Sequence, residues 1–142
     1  MIIPIGCDHA GFKTKELIIK HLTNKGLDIK DFGCFSEESI DYPDFAHPVA
    51  SAVEKGEADF GVLVCGSAQG VAITANKHQG IRAAVAWLTD IAKLSRQHNN
   101  ANVICIPARF VAPELAKEMV TTFLATTFEV GRHANRGNTI SC

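Results

Sequence analysis

The stretch Phe60-Gly-Val-Leu-Val-Cys-Gly-Ser-Ala-Gln-Gly-Val-Ala-Ile-Thr-Ala-Asn76 decides the fold. It opens with an apolar run that ends at Cys65 and is short enough for a buried strand. Gly66, Ser67, Ala68, Gln69 and Gly70 then form a loop of small residues, and 71–77 begins a short helix. This order places a thiol and several unpaired backbone N–H groups at the C-terminal edge of a buried strand. Converging N–H groups attract anions, and their positive potential is expected to lower the pKa of the Cys65 thiol. A sulfur beside an oxyanion-binding loop is a candidate active site.

Working outward, the alternation of strand and helix repeats. Ile2–Cys7 reads as a strand, and 12–25 as a helix with Ile18 and Leu22 four apart and Gly26 as its stop. Residues 27–32 read as a second strand and 36–43 as a polar loop. Phe45, Val49 and Val53 recur every four residues up to Gly56, predicting a helix in which Pro48 delays the start or forces a kink. Residues 81–86 read as a strand and 89–97 as a helix capped by Thr89 or Asp90. Val103–Pro107 is the last strand, and Pro113 opens a helix carrying Leu115, Met119 and Phe123. Five strands alternating with helices predict an α/β fold, a three-layer αβα sandwich around a five-stranded parallel, Rossmann-like sheet. Its crossovers should be right-handed, and its site should lie at the carboxyl ends of the strands near a topological switch point. Residues 128–142 show no amphipathic period and read as a polar C-terminal arm of a single domain spanning 1–142.

At 142 residues, 46% apolar and 20% charged, the chain has an ordinary globular composition. A net charge of −1 leaves no basic footprint for nucleic acid. All the arginines, at 82, 96, 109, 132 and 136, lie in the second half. Arginine suits fork-like contacts with phosphate. The five cysteines are odd in number and form no C-x-x-C pair, which fits a reducing, cytoplasmic setting and argues against a structural zinc site. The spacing of His, Cys and Asp shows no ligand cluster, so no metal and no cofactor are expected. The apolar start is too short for a signal peptide, and no segment approaches membrane-spanning length.

Chemistry-bearing residues gather at a few places. Cys7-Asp8-His9-Ala10-Gly11 follows the first strand, at the same edge as Cys65. Ser95-Arg96-Gln97-His98-Asn99-Asn100 precedes the last strand, and Arg109 follows it. The arm holds Gly131-Arg132-His133 and Arg136. Each has a purely structural alternative. Cys65 is equally readable as an inert core cysteine, Asp8 as a helix cap and His98 as a partner of its helix dipole. Arg132 and Arg136 are readable as solvated charges on a terminal tail. Cys7, Cys34 and Cys105 read as packing residues.

Taken together, Gly-Cys-Asp-His-x-Gly at 6–11, Asp41-Tyr42-Pro43, Cys65-Gly-Ser-x-x-Gly70, Ala75-Asn76-Lys77, Gly80-Ile-Arg-Ala-Ala84, Ser95-Arg96-Gln97-His98-Asn99 and Gly131-Arg132-His133 with Arg136 resemble the type B ribose-5-phosphate isomerases. Galactose-6-phosphate isomerase subunits and allose-6-phosphate isomerases share much of the pattern. The resemblance implies an aldose–ketose isomerase that interconverts ribose 5-phosphate and ribulose 5-phosphate through an enediolate. Cys65 would be the base, with Gly66–Gly70 around the enediolate oxygens and Ser67 shuttling a proton between them. His98 would open the sugar ring with Asp8 nearby, while Tyr42 and Asn99 would hold hydroxyls. His9, Arg109, Arg132 and Arg136 would bind phosphate. The family's site lies between subunits, so the resemblance also implies a homodimer or homotetramer with the arm reaching a partner. A 6-phosphohexose isomerase and a non-catalytic phosphosugar-binding domain are the alternatives.

One departure stands in the loop, where the family usually has a second glycine and this chain has Ala68. If the position needs a positive φ, alanine costs about 1 kcal/mol and sets a methyl group near the oxyanion site.

Overall fold

The computed structural model describes residues 2–34 and 41–140. Five parallel strands, β1 (Ile2–Cys7), β2 (Asp28–Asp31), β3 (Gly61–Cys65), β4 (Ala83–Val85) and β5 (Val103–Pro107), form one sheet in the order β2-β1-β3-β5-β4. Helices α1 (Phe12–Asn24), α2 (Tyr42–Glu54), α3 (Gln69–Asn76), α4 (Thr89–Asn99) and α5 (Pro113–Ala125) cover it, and a short α6 (Arg132–Asn138) follows.

Side-chain alternation along the strands builds a core on each face. Ile3, Ile5 and Cys7 of β1, Val62 and Val64 of β3, and Ile104 and Ile106 of β5 pack with Ile18 and Leu22 of α1, Ala92 of α4 and Met119 and Phe123 of α5. Leu63, Val103 and Cys105 point the other way, onto Phe45, Val49 and Val53 of α2 and Val71 and Ala75 of α3. Strand order and handedness decide which helix lies on which face. The β1-to-β2 and β4-to-β5 steps run one way along the sheet, and their helices α1 and α4 share a face. The β2-to-β3 and β3-to-β4 steps run the other way, and α2 and α3 share the opposite face. Right-handed crossovers demand this split. The chain therefore leaves the neighbouring strands β1 and β3 toward opposite faces, opening a crevice at their carboxyl ends.

Several local expectations change. Pro48 neither delays nor ends its helix, because α2 begins upstream at Tyr42. Pro43 in the first turn, where an N–H has no partner anyway, and Asp44 beside the positive helix end favour that start. Pro48, inside the helix, leaves the Asp44 carbonyl without its intrahelical donor. Of the loop expected at 36–43, residues 36–40 lie outside the described residues, and Tyr42 and Pro43 belong to α2. Helix α4 is preceded by Leu88 in extended conformation, not capped by a Thr89 or Asp90 side chain. It closes at Asn100, whose φ of +49° suits an asparagine C-cap. The arm is not wholly irregular, since residues 132–138 are helical. It also docks on its own chain: Glu129 N–H donates to the Gln97 carbonyl (2.9 Å), and Arg82 Nη2 donates to the Gly137 carbonyl (3.0 Å). No apolar period foretold this, because α6 buries none of its residues and is held by the Arg82 side chain on its Gly137 carbonyl and by ring contact.

Among the described residues, the most buried charge is one that the sequence alone does not mark. Lys15 of α1 has no solvent exposure and pairs with both carboxylate oxygens of Asp31 at 2.9 and 2.7 Å. It also donates to the Cys34 carbonyl. The ammonium thereby ties the end of β2 to α1, close beneath the crevice.

Candidate active site

The crevice is built from the ends of β1 and β3. Asp8 follows β1 directly, its N–H donating to the Val64 carbonyl at 3.1 Å. One carboxylate oxygen caps the 3-10 turn of residues 9–11 by accepting from Gly11 N–H at 2.9 Å. The other accepts from the Cys65 thiol at 3.1 Å and from Gly66 N–H at 3.4 Å. Both readings of Asp8 therefore hold at once, one oxygen serving as cap and the other facing the sulfur. Gly11 is required here, since a Cβ would lie 2.7 Å from the Val64 carbonyl oxygen and prise the β1 turn off β3.

Two further side chains border the sulfur loop. The Arg109 side chain lies over Gly66, where a Cβ would be 3.3 Å from its Cζ. The loop after β5 is fixed there by Ala108 N–H on the Cys65 carbonyl (2.8 Å) and Arg109 N–H on the Gly66 carbonyl (3.1 Å). Tyr42, first residue of α2, packs its ring on Gly70 so closely that a Cβ would sit 2.6 Å from it. Ser67 Oγ accepts from Gln69 N–H at 3.4 Å. His9 Nδ1 is buried and has no hydrogen-bond partner among the described residues. An orphaned ring nitrogen beside Asp8 is a place for a ligand's polar group.

Ala68 has φ +65°, so the departure from glycine does fall on a left-handed position. Its methyl is fully buried and belongs to the apolar core with Phe45 and Val71, so it does not crowd the oxyanion loop. The expected depression of the Cys65 pKa is not what the isolated chain produces. Burial, then the hydrogen bond and charge of Asp8, push the thiol up to about 12. N–H groups of Gly66 and Ala68 pull the other way but are outweighed. Cys65 rests as a thiol pointing its proton at Asp8.

The remaining expected residues lie elsewhere. His98 and Asn99 end α4, just before β5 begins at Val103, whereas Cys65 is level with Pro107 at the far end of β5. At roughly 3.3 Å per residue, Val103 to Pro107 alone spans about 13 Å. Arg132 and Arg136 are on α6, which is tied to Arg82 just ahead of β4 and so also lies at the amino edge of the sheet. There the ring of His133 stacks on that of His98, with centroids 4.3 Å apart and planes 8° from parallel. Glu129 Oε2 is 3.9 Å from His98 Nε2. Desolvation, then the neighbouring His98 imidazole and the Arg132 and Arg136 cations, lower the pKa of His133. His98, Glu129 and His133 thus form a cluster of potential ligands that linear spacing did not show. The fold brings Asp8, His9, Tyr42, Cys65, Gly66, Ser67, Gly70 and Arg109 to one edge, and His98, Asn99, Arg132 and Arg136 to the other.

No described helix is long and apolar enough to cross a membrane. Residues 3–140 match the Ribose/Galactose Isomerase family model. The chain is 46% identical over 139 residues to ribose-5-phosphate isomerase B of Escherichia coli strain K12, covering 98% of this chain and 93% of that one. A solved ribose 5-phosphate isomerase of Thermotoga maritima superposes with a TM-score of 0.95 at 47% identity, covering 98% of this chain and 96% of that one. Ribose-5-phosphate isomerase B of Mycoplasma genitalium, solved with bound ribulose-5-phosphate, gives 0.93 at 41%, covering 98% and 93%. With its five-stranded parallel sheet and the site motifs in order along nearly the whole sequence, this chain belongs to the ribose/galactose isomerase family.

Proposed function

We propose that this isomerase interconverts ribose 5-phosphate and ribulose 5-phosphate, using Cys65 as the base, in a site completed by a second copy of the chain. One observation carries the reading: a thiol hydrogen-bonded to a carboxylate at the switch-point crevice, with the complementary cationic and imidazole groups of the same chain on the opposite edge. A phosphosugar-binding domain has no need of the first arrangement. A self-sufficient monomer has no use for the second.

The geometry supports the following chemistry. His9 and Arg109 hold the phosphate from one chain, and Arg132 and Arg136 of the arm hold it from the other. His98, presented by the partner copy, opens the furanose ring, and Asn99 and Tyr42 fix hydroxyls. Remote phosphate binding orients the reacting carbons. The Cys65 proton passes to Asp8 Oδ2, leaving a thiolate that takes the proton from C2. Its electrons form the C1–C2 double bond, and the negative charge settles on O1. Backbone N–H groups of the small-residue loop face that oxyanion. Ser67 carries the O2 proton to O1, Cys65 gives the proton it took to C1, the carbonyl is now at C2, and Asp8 returns its proton to the sulfur. Partner cations entering the crevice oppose the burial that holds Cys65 protonated, so the base forms where substrate is bound.

A panel of ribose, allose and galactose phosphates, assayed for aldose–ketose conversion, tests the reading. Highest kcat/KM on ribose 5-phosphate is expected. Preference for a 6-phosphohexose would move the substrate assignment, and no conversion of any would remove the catalytic reading.

A further inference from the structure

We propose that Cys7 and Cys34 are a thiol pair which a peroxide oxidises, reversibly, to a disulfide that staples β1 to the segment after β2. Read from the sequence as packing residues, they do pack, but sulfur against sulfur: the two Sγ atoms are 3.4 Å apart and share a hydrogen bond. Both are free thiols. Their main chains are already set side by side. Cys7 N–H donates to the Gly33 carbonyl, and Cys34 N–H donates to the Cys7 carbonyl at 2.8 Å, which carries the pairing of β1 with β2 past Asp31. Neighbouring strands lie about 4.8 Å apart, inside the range of about 4.4–6.8 Å between the Cα atoms of a disulfide. A bond of about 2.05 Å asks the sulfurs to close by about 1.4 Å. Cys7 is also laddered to β3, so the closure falls on Cys34, beyond the end of β2.

Burial, then the hydrogen bond with Cys34, raise the pKa of Cys7, with the Lys15 ammonium pulling the other way. Cys34 keeps 5% exposure and Cys7 none, so Cys34 meets the oxidant first. Its sulfur attacks one peroxide oxygen and the O–O bond breaks. The thiol proton leaves with the departing hydroxide as water, and a sulfenic acid remains. The Cys7 sulfur then attacks the sulfenic sulfur, the S–O bond breaks, and the leaving hydroxide takes the Cys7 proton as a second water. The two sulfurs give up two electrons, and the two peroxide oxygens accept them. A dithiol reductant reverses the change by exchange. The loop so closed contains all of α1 and β2, so the bond restricts the unfolded chain and stabilises the folded one.

Full-length Cys65→Ala, which lacks the half-buried thiol of the site, is treated with hydrogen peroxide while folded. Disulfide-linked peptides are then mapped by mass spectrometry. The peptide holding Cys7 should be joined to the one holding Cys34, with two thiols lost per chain, and dithiothreitol should restore both. The oxidised chain should unfold at a higher denaturant concentration than the reduced one. Cys34→Ser in the same background should show neither the link nor the shift, and Cys34→Ala replaces it if the serine variant does not fold. Absence of the link from folded protein, or a link that forms no faster folded than in denaturant, overturns the pair. A link without a rise in the unfolding midpoint overturns the staple. Neither readout depends on which sugar phosphate is converted.

Discussion

The two edges of the sheet carry different kinds of site. At the carboxyl edge, groups issue directly from strand ends and are held by main-chain bonds, as Asp8 is to Val64 and Arg109 to Gly66. Its sulfur is half-buried, and its carboxylate is committed to a cap and a thiol. At the amino edge the groups come from the last turn of α4 and from α6, are largely exposed, and meet by ring stacking. On the proposed reading, the carboxyl edge holds the base, and the amino edge holds the arm's cations and the ring-opening imidazole. A parallel αβα chain cannot fold one edge onto the other, so the proposed site needs a second copy to supply its missing half.

The comparison breaks most sharply at the base. Cys65→Ala should lower kcat by roughly 10²–10⁴-fold with the fold intact, measured by steady-state kinetics and circular dichroism. Near-normal turnover would leave the carboxyl edge without its chemistry. The next largest effect belongs to the opposite edge. Arg132→Ala with Arg136→Ala removes two charge-assisted contacts of about 1.5–3 kcal/mol each, so kcat/KM should fall roughly 10²- to 10⁴-fold while thermal stability is unchanged. In that variant alkylation of Cys65 by iodoacetamide should need higher pH than in wild type. The sign follows from charge: cations favour the thiolate, and without them burial and Asp8 hold the thiol toward the value of about 12 seen in the single chain. An identical alkylation profile would mean the two edges do not meet.

Two smaller effects separate support from chemistry. Lys15→Met strips the buried partner from Asp31, which is 24% exposed, and should cost about 3 kcal/mol in denaturant unfolding. A loss below about 1 kcal/mol would show the pair to be incidental. Ala68→Gly releases about 1 kcal/mol of left-handed strain and gives up about 0.8 kcal/mol of buried methyl. Stability and kcat should both stay nearly unchanged. A large gain in kcat would place the methyl in the oxyanion loop after all.

The sequence made the carboxyl edge legible because each element there is short-range. Strand, small-residue loop and helix lie within 60–76, and Val103–Pro107 and the Pro113 start came out as observed. What stayed hidden was non-local or was a balance of opposed effects. The Lys15–Asp31 pair joins residues in two elements, and nothing local marks Lys15 as buried. The Cys65 pKa depends first on burial and then on Asp8, 57 residues away, which together outweigh the N–H groups that the loop does display. The early start of α2 turned on Pro43 in the first turn, a stronger signal than Pro48 inside the helix. His98 stacking on His133 arises from main-chain docking of an arm with no apolar face, which leaves no periodic trace.

Subunit complementation measures the two-edge account directly. Cys65→Ala is mixed with the double variant Arg132→Ala, Arg136→Ala, and the subunits are exchanged. If each site takes its base from one chain and its arm from another, a mixed dimer contains one site with neither defect. The account predicts that activity returns, up to about one quarter of wild type for random pairing into dimers, half of which are mixed with one intact site of two. A mixture that stays inactive despite proven exchange, or a wild-type monomer that is fully active by sedimentation, contradicts it.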